Sequence, residues 1–272
     1  MRSRKAVVSQ REMEPIMNRT YTGRTSGSLR YTAGRIIPVV FYLVLTLAPE
    51  AFALNVPEKL VYDLTWTGIK AGTATQEIIE EKDSMRVVST ARSADWISIF
   101  FPVEDRIESV LAKVPPPHLG LPQHYRMKIH EGSHRRDKEI IFAQKEGKAE
   151  YIDHLGHEKL TLNILENTYD FYSGFYFLRT IKLEVGKPVY VNILDSKKMW
   201  NVEVLVLDKE KLKTILGNIE TIHIRPLVKS EGIFERKGAV DIWLTDDERR
   251  IPVRMKTKVT IGSVTATLIK VN

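Results

Sequence analysis

The chain has no cysteine among its 272 residues. This absence excludes disulfide bonds, thiolate zinc sites, iron–sulfur clusters, cysteine nucleophiles and a lipid-modified cysteine. Long apolar runs are also missing, because the longest uncharged one, residues 36–48, has 13 residues, fewer than the roughly 20 that a membrane-spanning helix needs. A multi-span membrane protein is therefore excluded, and 43% apolar and 28% charged residues are typical of a globular protein.

A strong charge is likewise absent from most of the chain. The formal net charge is +7, from 41 Lys and Arg residues against 34 Asp and Glu residues. Residues 1–53 hold 8 basic and 3 acidic residues, a net +5, which leaves 33 basic and 31 acidic residues, a net +2, for the other 219. The basic character thus belongs mostly to the N-terminal segment and does not indicate a nucleic-acid-binding surface.

The N-terminal segment has the three parts of a secretory signal. A basic stretch is followed by the apolar run 36–48 and then by Ala51-Phe52-Ala53, a small-x-small cleavage site. We therefore expect residues 1–53 to be a signal peptide cleaved between Ala53 and Leu54, and the mature protein to be periplasmic. Starting translation at Met17 would give a more conventional basic stretch, which favours Met17 as the true start. The alternative is an uncleaved membrane anchor, for which the run is short.

Apolar and polar residues alternate with a period of two over most of the chain from Leu60 onwards, which is typical of strands with one buried face. Turn residues such as Glu131-Gly132 and Gly262-Ser263 separate the alternating runs. The pattern predicts about a dozen short antiparallel strands. Since no change of composition divides residues 54–272, we expect them to form a single β-rich domain.

Two segments depart from the alternation. Residues 95–101 are almost continuously apolar and stop at Pro102, which predicts a short helix or a buried corner. Residues 167–179 have helical spacing, with Asn167 or Thr168 as the expected N-cap. Because the apolar face of so many strands must be covered, the sheet has to curl or fold into a sandwich. We predict an all-β fold, a strongly curved antiparallel sheet or open barrel with one or two short helices.

Four stretches, in this order and spacing, resemble the bacterial domain-of-unknown-function family 3108. They are Tyr62-Asp-Leu-Thr-Trp-Thr-Gly-Ile-Lys-Ala-Gly-Thr-Ala, the run Trp96 to Arg106, Tyr169-Asp-Phe-Tyr-Ser-Gly-Phe-Tyr-Phe-Leu-Arg179, and Ile242-Trp-Leu-Thr-Asp-Asp-Glu-Arg-Arg-Ile-Pro-Val253. The resemblance covers roughly residues 58–270 and implies an exported envelope protein with a barrel-like β body, without an established activity. By analogy alone, such a body is similar to the periplasmic lipoprotein carriers, whose curved sheet holds acyl chains.

Candidate catalytic and metal-binding residues occur only in patterns that structure alone explains. His130 and His134 are four residues apart, a spacing that would put both on one face of a helix, but they flank a turn beside several cations. His154 and His157 bracket another turn, with no third ligand nearby in the sequence. Asp246 and Asp247 lie between two alternating runs, where Asp favours a turn. Phosphate loops, dinucleotide fingerprints and nucleophile elbows are missing from the sequence. We therefore predict no catalytic residue, no metal and no cofactor.

Two surfaces are candidates for binding. The richest aromatic set either packs the core or lines an apolar cavity, with Arg179 at its mouth for an anionic group; its members are Trp96, Phe100, Phe101, Tyr172, Phe175 and Tyr176. Arg254, Lys256 and Lys258 share one strand face, which is either a solvated surface or a contact for anionic lipid headgroups or glycans.

These observations favour a non-enzymatic periplasmic protein that binds an amphipathic, lipid-like ligand or an envelope partner. The alternative is an envelope hydrolase or glycan-modifying enzyme that uses its acidic residues, and a third possibility is a scaffold that binds only protein through exposed strand faces. A cavity open to solvent would favour the first, carboxylates clustered in a cleft the second, and a filled interior with a flat apolar patch the third.

Overall fold

The computed structural model describes residues 54–115, 118–227, 240–259 and 261–272. These residues all lie within one compact unit, Ala48–Asn272. The expected signal peptide, its apolar run and Met17 lie outside the described residues, and so does Ala53 on one side of the expected cleavage site. The bounds 1–53 and 54–272 stay predictions.

The strands follow the predicted alternation and number fifteen among the described residues. The first eight are β1 (Glu58–Trp66), β2 (Ile69–Glu80), β3 (Ser84–Ser93), β4 (Glu104–Ala112), β5 (Pro122–Glu131), β6 (His134–Ala143), β7 (Lys148–Asp153) and β8 (Glu158–Asn163). The other seven are β9 (Thr168–Tyr169), β10 (Val189–Asp195), β11 (Lys198–Thr214), β12 (Gly217–Pro226), β13 (Val240–Thr245), β14 (Pro252–Lys258) and β15 (Ser263–Val271).

All fifteen strands belong to one sheet, in the order β8-β7-β6-β5-β4-β3-β2-β1-β15-β14-β13-β12-β11-β10-β9. Neighbouring strands are antiparallel except β9 and β10, which are parallel. Among the described residues the sheet does not close, so β8 and β9 form its two edges. The predicted all-β fold with a large antiparallel sheet is therefore confirmed.

Two α-helices interrupt the strands within the described part of the chain, α1 (Asp95–Ser98) and α2 (Phe171–Arg179). The prediction of a helix within 167–179 is confirmed, but the predicted N-cap, Asn167 or Thr168, was wrong. Asp170 caps α2, because its Oδ1 accepts hydrogen bonds from the backbone N–H groups of Tyr172 and Ser173. Thr168 instead belongs to the short strand β9, and Asn167 precedes it with a φ of 53°.

Helix α2 shows how the sheet curves. It packs against both β4 and β10, two strands that eight others separate in the sheet. The sheet must therefore curl until its two halves face each other, with α2 between them. The main core cluster joins buried residues of both halves to the helix, among them Ile78, Leu111, Phe175, Tyr176, Val204 and Ile224.

No helix within these described ranges is both long enough and apolar enough to cross a membrane.

Candidate functional site

The structure divides the aromatic set that the sequence singled out into a buried group and an exposed group. Phe175 and Tyr176 lie on α2 in the main core cluster, and Tyr172 is partly buried beside them. Trp96, Phe100 and Phe101 lie in the exposed corner between β3 and β4 instead. The fold therefore does not bring these six rings together in one place.

Arg179, at the C-terminal end of α2, is fully buried rather than placed at a cavity mouth. Its guanidinium donates two hydrogen bonds to the Glu58 carboxylate, at 2.7 and 2.9 Å, and one to the carbonyl oxygen of Arg250 at 3.0 Å. Desolvation opposes its charge, but the bonds to Glu58 outweigh this and raise the pKa of Arg179. The charge of Arg179 is thus already matched inside the protein by the Glu58 carboxylate.

The corner that holds the exposed rings is fixed by its backbone. Helix α1 covers four residues and buries none of its side chains, and Pro102 ends the segment. The backbone N–H of Gly132, in the β5–β6 turn, donates to the carbonyl oxygen of Pro102 at 2.8 Å, and the Phe101 ring lies directly against Gly132. A side chain at position 132 would collide with that ring, so the glycine allows the close contact.

Neighbouring turns extend this corner into a continuous exposed surface. The Trp96 indole N–H donates to the carbonyl oxygen of Lys70 in the β1–β2 hairpin at 3.1 Å. The Trp66 indole N–H donates to the carbonyl oxygen of Ile261 in the β14–β15 turn at 2.8 Å. Seven large apolar residues at these turns are exposed, and we call them the apolar rim: Trp66, Ile69, Trp96, Ile99, Phe100, Phe101 and Ile261.

Exposure is extreme at the centre of the apolar rim, where Phe100 is 83% and Ile99 77% exposed. Isolated apolar residues on a surface are ordinary, but a group of this size on adjacent turns is a candidate interaction site. Sequence reasoning found Trp96, Phe100 and Phe101 and missed the other four. The sequence could have revealed them, because large apolar residues are unusual at hairpin turns, where polar residues are the rule.

Basic side chains border the apolar rim. Arg135, in the β5–β6 hairpin, donates to the carbonyl oxygens of Gly132 and His134 and bonds to no carboxylate among the described residues. Lys258 ends β14 at the β14–β15 turn and is exposed, and Lys256 shares its strand face. The third residue of the predicted basic stripe, Arg254, is partly buried, with its guanidinium 5.7 Å from the centre of the Trp243 ring system.

The acidic pair Asp246 and Asp247 lies in the turn between β13 and β14, as its sequence position indicated. It borders a cleft of about 560 Å³, which is lined by Lys182, Leu183, Glu184, Val185, Lys209, Asp246, Asp247, Glu248 and Arg250. Asp246 forms ion pairs with Lys209 and Arg250, and Asp247 with Arg249.

These ion pairs affect the pKa values of the two carboxyls. Partial burial alone would raise both pKa values, but hydrogen bonds from Lys209 and Arg250 lower the pKa of Asp246, and those from Thr245 and Arg249 lower that of Asp247. The lowered pKa values favour the ionised form of both carboxyls, whereas glycan hydrolysis requires one protonated general acid.

The paired histidines of the sequence lie in hairpins. His130 is on β5 and His134 begins β6, where the Nε2 atom of His134 accepts from Arg136. His154 instead meets Glu139, whose carboxylate also contacts His124 and Arg126. Burial acts to raise the pKa of Glu139, but the hydrogen bonds from His124 and His154 lower it to about 2. With the Arg126 cation in the group, this cluster is an ion-pair network and a poor metal site.

Comparison with known proteins adds a family and a fold. The model of a family described as "Protein of unknown function (DUF3108)" matches residues 61–269. No curated protein matches the sequence significantly.

Two solved structures are similar to this chain to different degrees. A β-barrel-like protein of the domain of unknown function DUF1849 from Brucella abortus has a TM-score of 0.53 at 12% identity, over 81% of this chain and 98% of that one. The hypothetical protein CT021 from Chlamydia trachomatis has a TM-score of 0.36 at 7% identity, over 81% of this chain and 89% of that one. At these identities the first likeness shows a shared fold alone, and the second carries no argument.

Proposed function

The chain belongs to the DUF3108 family, and from that membership and its apolar rim we propose that it is a non-enzymatic, exported envelope protein that binds amphipathic, lipid-like molecules. The apolar rim is the observation that carries this proposal. Its rings and aliphatic side chains are the groups that acyl chains would cover, and the basic residues beside it are the groups that anionic headgroups would meet.

The energetics of the apolar rim favour such a partner. Burying one exposed Phe or Ile side chain in an apolar layer releases about 1.5–3 kcal/mol. Ile99, Phe100 and Phe101 are more than half exposed, so they can contribute together when an acyl layer covers them. Trp96 and Trp66 keep their indole N–H groups bonded to backbone carbonyls. Indoles with one apolar side and one satisfied polar end suit the boundary between headgroups and acyl chains.

The basic side chains beside the apolar rim are suited to the anionic head of an amphipathic ligand. Arg135 bonds to the carbonyl oxygen of Gly132, the residue against which the Phe101 ring lies, and Lys258 ends β14 next to the turn that carries Ile261. Guanidinium and ammonium groups bind phosphate and carboxylate oxygens with charge-assisted hydrogen bonds. A ligand with an anionic head and an apolar tail therefore meets complementary groups at one end of the sheet.

The exterior is favoured over the interior as the binding surface. Phe175 and Tyr176 are buried among strand residues of both halves of the sheet, and Arg179 is occupied by Glu58. Burial also raises the pKa of the Tyr176 phenol, which keeps the ring neutral. These groups stabilise the body, whereas the rings of the corner are available to a partner.

The test compares rim variants with a control at the opposite end of the sheet. Phe100→Ser combined with Phe101→Ser removes two exposed rings, and Ile215→Ser removes an equally apolar, 50% exposed residue from the β11–β12 turn. Cosedimentation with phosphatidylglycerol–phosphatidylethanolamine vesicles should weaken at least roughly thirtyfold in the double variant, because two buried rings contribute about 2 kcal/mol or more. Ile215→Ser should bind like the wild type.

Two further arms identify the source of the ligand. All proteins share residues 1–53, so an effect confined to the rim variants cannot come from that segment. A dispersed fluorescent fatty acid separates a single lipid ligand from a membrane surface, and vesicles of phosphatidylcholine alone test the demand for anionic headgroups. The proposal is wrong if the wild type binds neither vesicles nor the fatty acid, or if the double variant binds both as the wild type does.

A further inference from the structure

Strand β11 contains a bulge that redirects its polar side chains. Val202, Val204 and Val206 alternate into the core, and Val206 is opposite Ile224 on β12. The pairing then shifts by one residue, so that Asp208 is opposite His223 and Leu207 has no counterpart. Such an extra residue reverses which face the following side chains occupy. Asp208 and Glu210 therefore share the face of His223 instead of continuing the core face.

His223 is held firmly on this face. It is only 9% exposed, and its ring stacks on the Trp243 indole with centroids 4.4 Å apart and planes 10° from parallel. Its Nε2 atom lies 2.9 Å from Oδ1 of Asp241. Because an ionised carboxylate can only accept hydrogen bonds, Nε2 carries the proton. Arg225 also bonds to Asp241 at 2.7 Å and fixes that carboxylate in turn.

The other imidazole nitrogen faces two carboxylates. Nδ1 of His223 is 3.6 Å from Oδ1 of Asp208, beyond hydrogen-bonding range, and it has no hydrogen bond within the described part of the protein. Glu210 lies on the same side, where the Trp243 indole N–H bonds to its Oε1 at 2.5 Å and orients the carboxylate. One ligand atom from each of Asp208, Glu210 and His223 lies within 4.8 Å of the others.

We propose that Asp208, Glu210 and His223 bind a divalent transition-metal cation, zinc in the first instance. Three lone-pair donors that lie within 4.8 Å of one another repel each other unless a cation lies among them. One imidazole nitrogen with two carboxylate oxygens is a donor set that Zn²⁺ accepts, and water completes a tetrahedral shell. Asp241 is the positioning residue, since a carboxylate on the far imidazole nitrogen fixes the tautomer in many metal sites.

This inference is independent of lipid binding at the apolar rim. It also differs from the sequence expectation of no metal, which considered only histidines close together in the sequence. Both carboxylates are exposed, so a small movement of either side chain can shorten the separations to those of a metal shell. The Arg254 guanidinium on the Trp243 ring system opposes a cation nearby, whereas the two proposed ligand carboxylates carry two negative charges.

The test is calorimetric titration of the untagged, chelator-treated full-length protein with Zn²⁺. The wild type should bind one zinc per chain at this site. Asp208→Asn and Glu210→Gln change exposed residues and keep the fold, and each should weaken that binding by roughly tenfold or more. Glu220→Gln is the matched control, because it lies on the same hairpin and on the opposite face, paired with Lys211.

Two more variants make the assignment specific. Asp241→Asn removes the positioning carboxylate without touching a ligand and should weaken zinc binding by about tenfold to a hundredfold. His154→Gln disrupts the Glu139 network and should leave the affinity unchanged. The proposal is overturned if the wild type takes up no zinc at a one-to-one ratio, as expected when a proton alone occupies the space beside Nδ1. Wild-type affinity in both Asp208→Asn and Glu210→Gln would overturn it as well.

Discussion

At the residue scale, Arg179 and Glu58 are the most consequential pair. Both are buried, and the guanidinium also bonds to the carbonyl oxygens of Arg249 and Arg250. The Tyr176 ring adds a cation–π contact at 5.0 Å. Burying two charges is tolerated only when they form an ion pair with each other. The hydrogen bonds of this pair also connect the end of α2 to β1 and to the β13–β14 turn.

Removing one partner of this pair should strongly destabilise the folded protein. Arg179→Met leaves the Glu58 carboxylate buried and unpaired, and Glu58→Met does the same to the guanidinium, so each should lower the free energy of unfolding by about 3–5 kcal/mol. Combining the two substitutions should cost clearly less than the sum of the single effects, since no unpaired charge remains. Urea unfolding of the four proteins measures the cycle. Additive effects, or a single variant as stable as the wild type, would contradict this account.

At the element scale, helix α2 depends on one carboxylate. Asp170 is fully buried, and besides the two backbone N–H groups its Oδ2 accepts from the hydroxyls of Ser109 at 2.5 Å and Ser173 at 2.7 Å. Burial raises the pKa of Asp170, with these hydrogen bonds opposing it. The helix cap is therefore also the link from α2 to β4, which holds the two halves of the sheet around the helix.

Asp170→Ala should accordingly lower the free energy of unfolding by more than the loss of an ordinary helix cap does. A lost cap lowers stability by about 0.5–2 kcal/mol, and the hydroxyls left without an acceptor add about 1–3 kcal/mol. We expect a total of at least about 2 kcal/mol in urea unfolding, with a smaller loss for Ser109→Ala, which removes one of the four bonds. Glu166→Ala, an exposed neighbour, serves as the control and should stay within about 0.5 kcal/mol of the wild type. Equal stabilities of Asp170→Ala and Glu166→Ala would show that the cap does not support the fold.

At the scale of the whole molecule, export is the prediction that the N-terminal sequence makes. The basic stretch, the apolar run 36–48 and the small residues Ala51 and Ala53 match the sequence pattern of a signal-peptidase substrate. Expressed in a bacterium, the protein should accumulate in the periplasm with Leu54 as its first residue, and intact-mass spectrometry would show this. Ala53→Trp should block processing, because the cleavage site accepts only small side chains. A periplasmic species whose mass still includes residues 36–53 would point to a membrane anchor instead.

The sequence by itself determined the elements of this protein. Strands show a period of two and α2 shows helical spacing because burial on one face imposes that period on local sequence. The same local patterns indicated the hairpin turns, the antiparallel sheet and the family. The N-cap of α2 could not be predicted, because Asn167, Thr168 and Asp170 are all good N-cap residues. Only the position of β9 in the structure excludes the first two.

Tertiary structure decided which of these residues meet. The curl of the sheet buries Arg179 beside Glu58, 121 positions away, while the β3–β4 corner leaves Phe100 in solvent. A single bulge brings Asp208 and Glu210 to the face of His223. Composition and periodicity specify only which face of a strand is apolar, whereas burial depends on what packs against that face. Long-range register and curvature set that packing, and so they decided the apolar rim, the buried ion pair and the proposed zinc site.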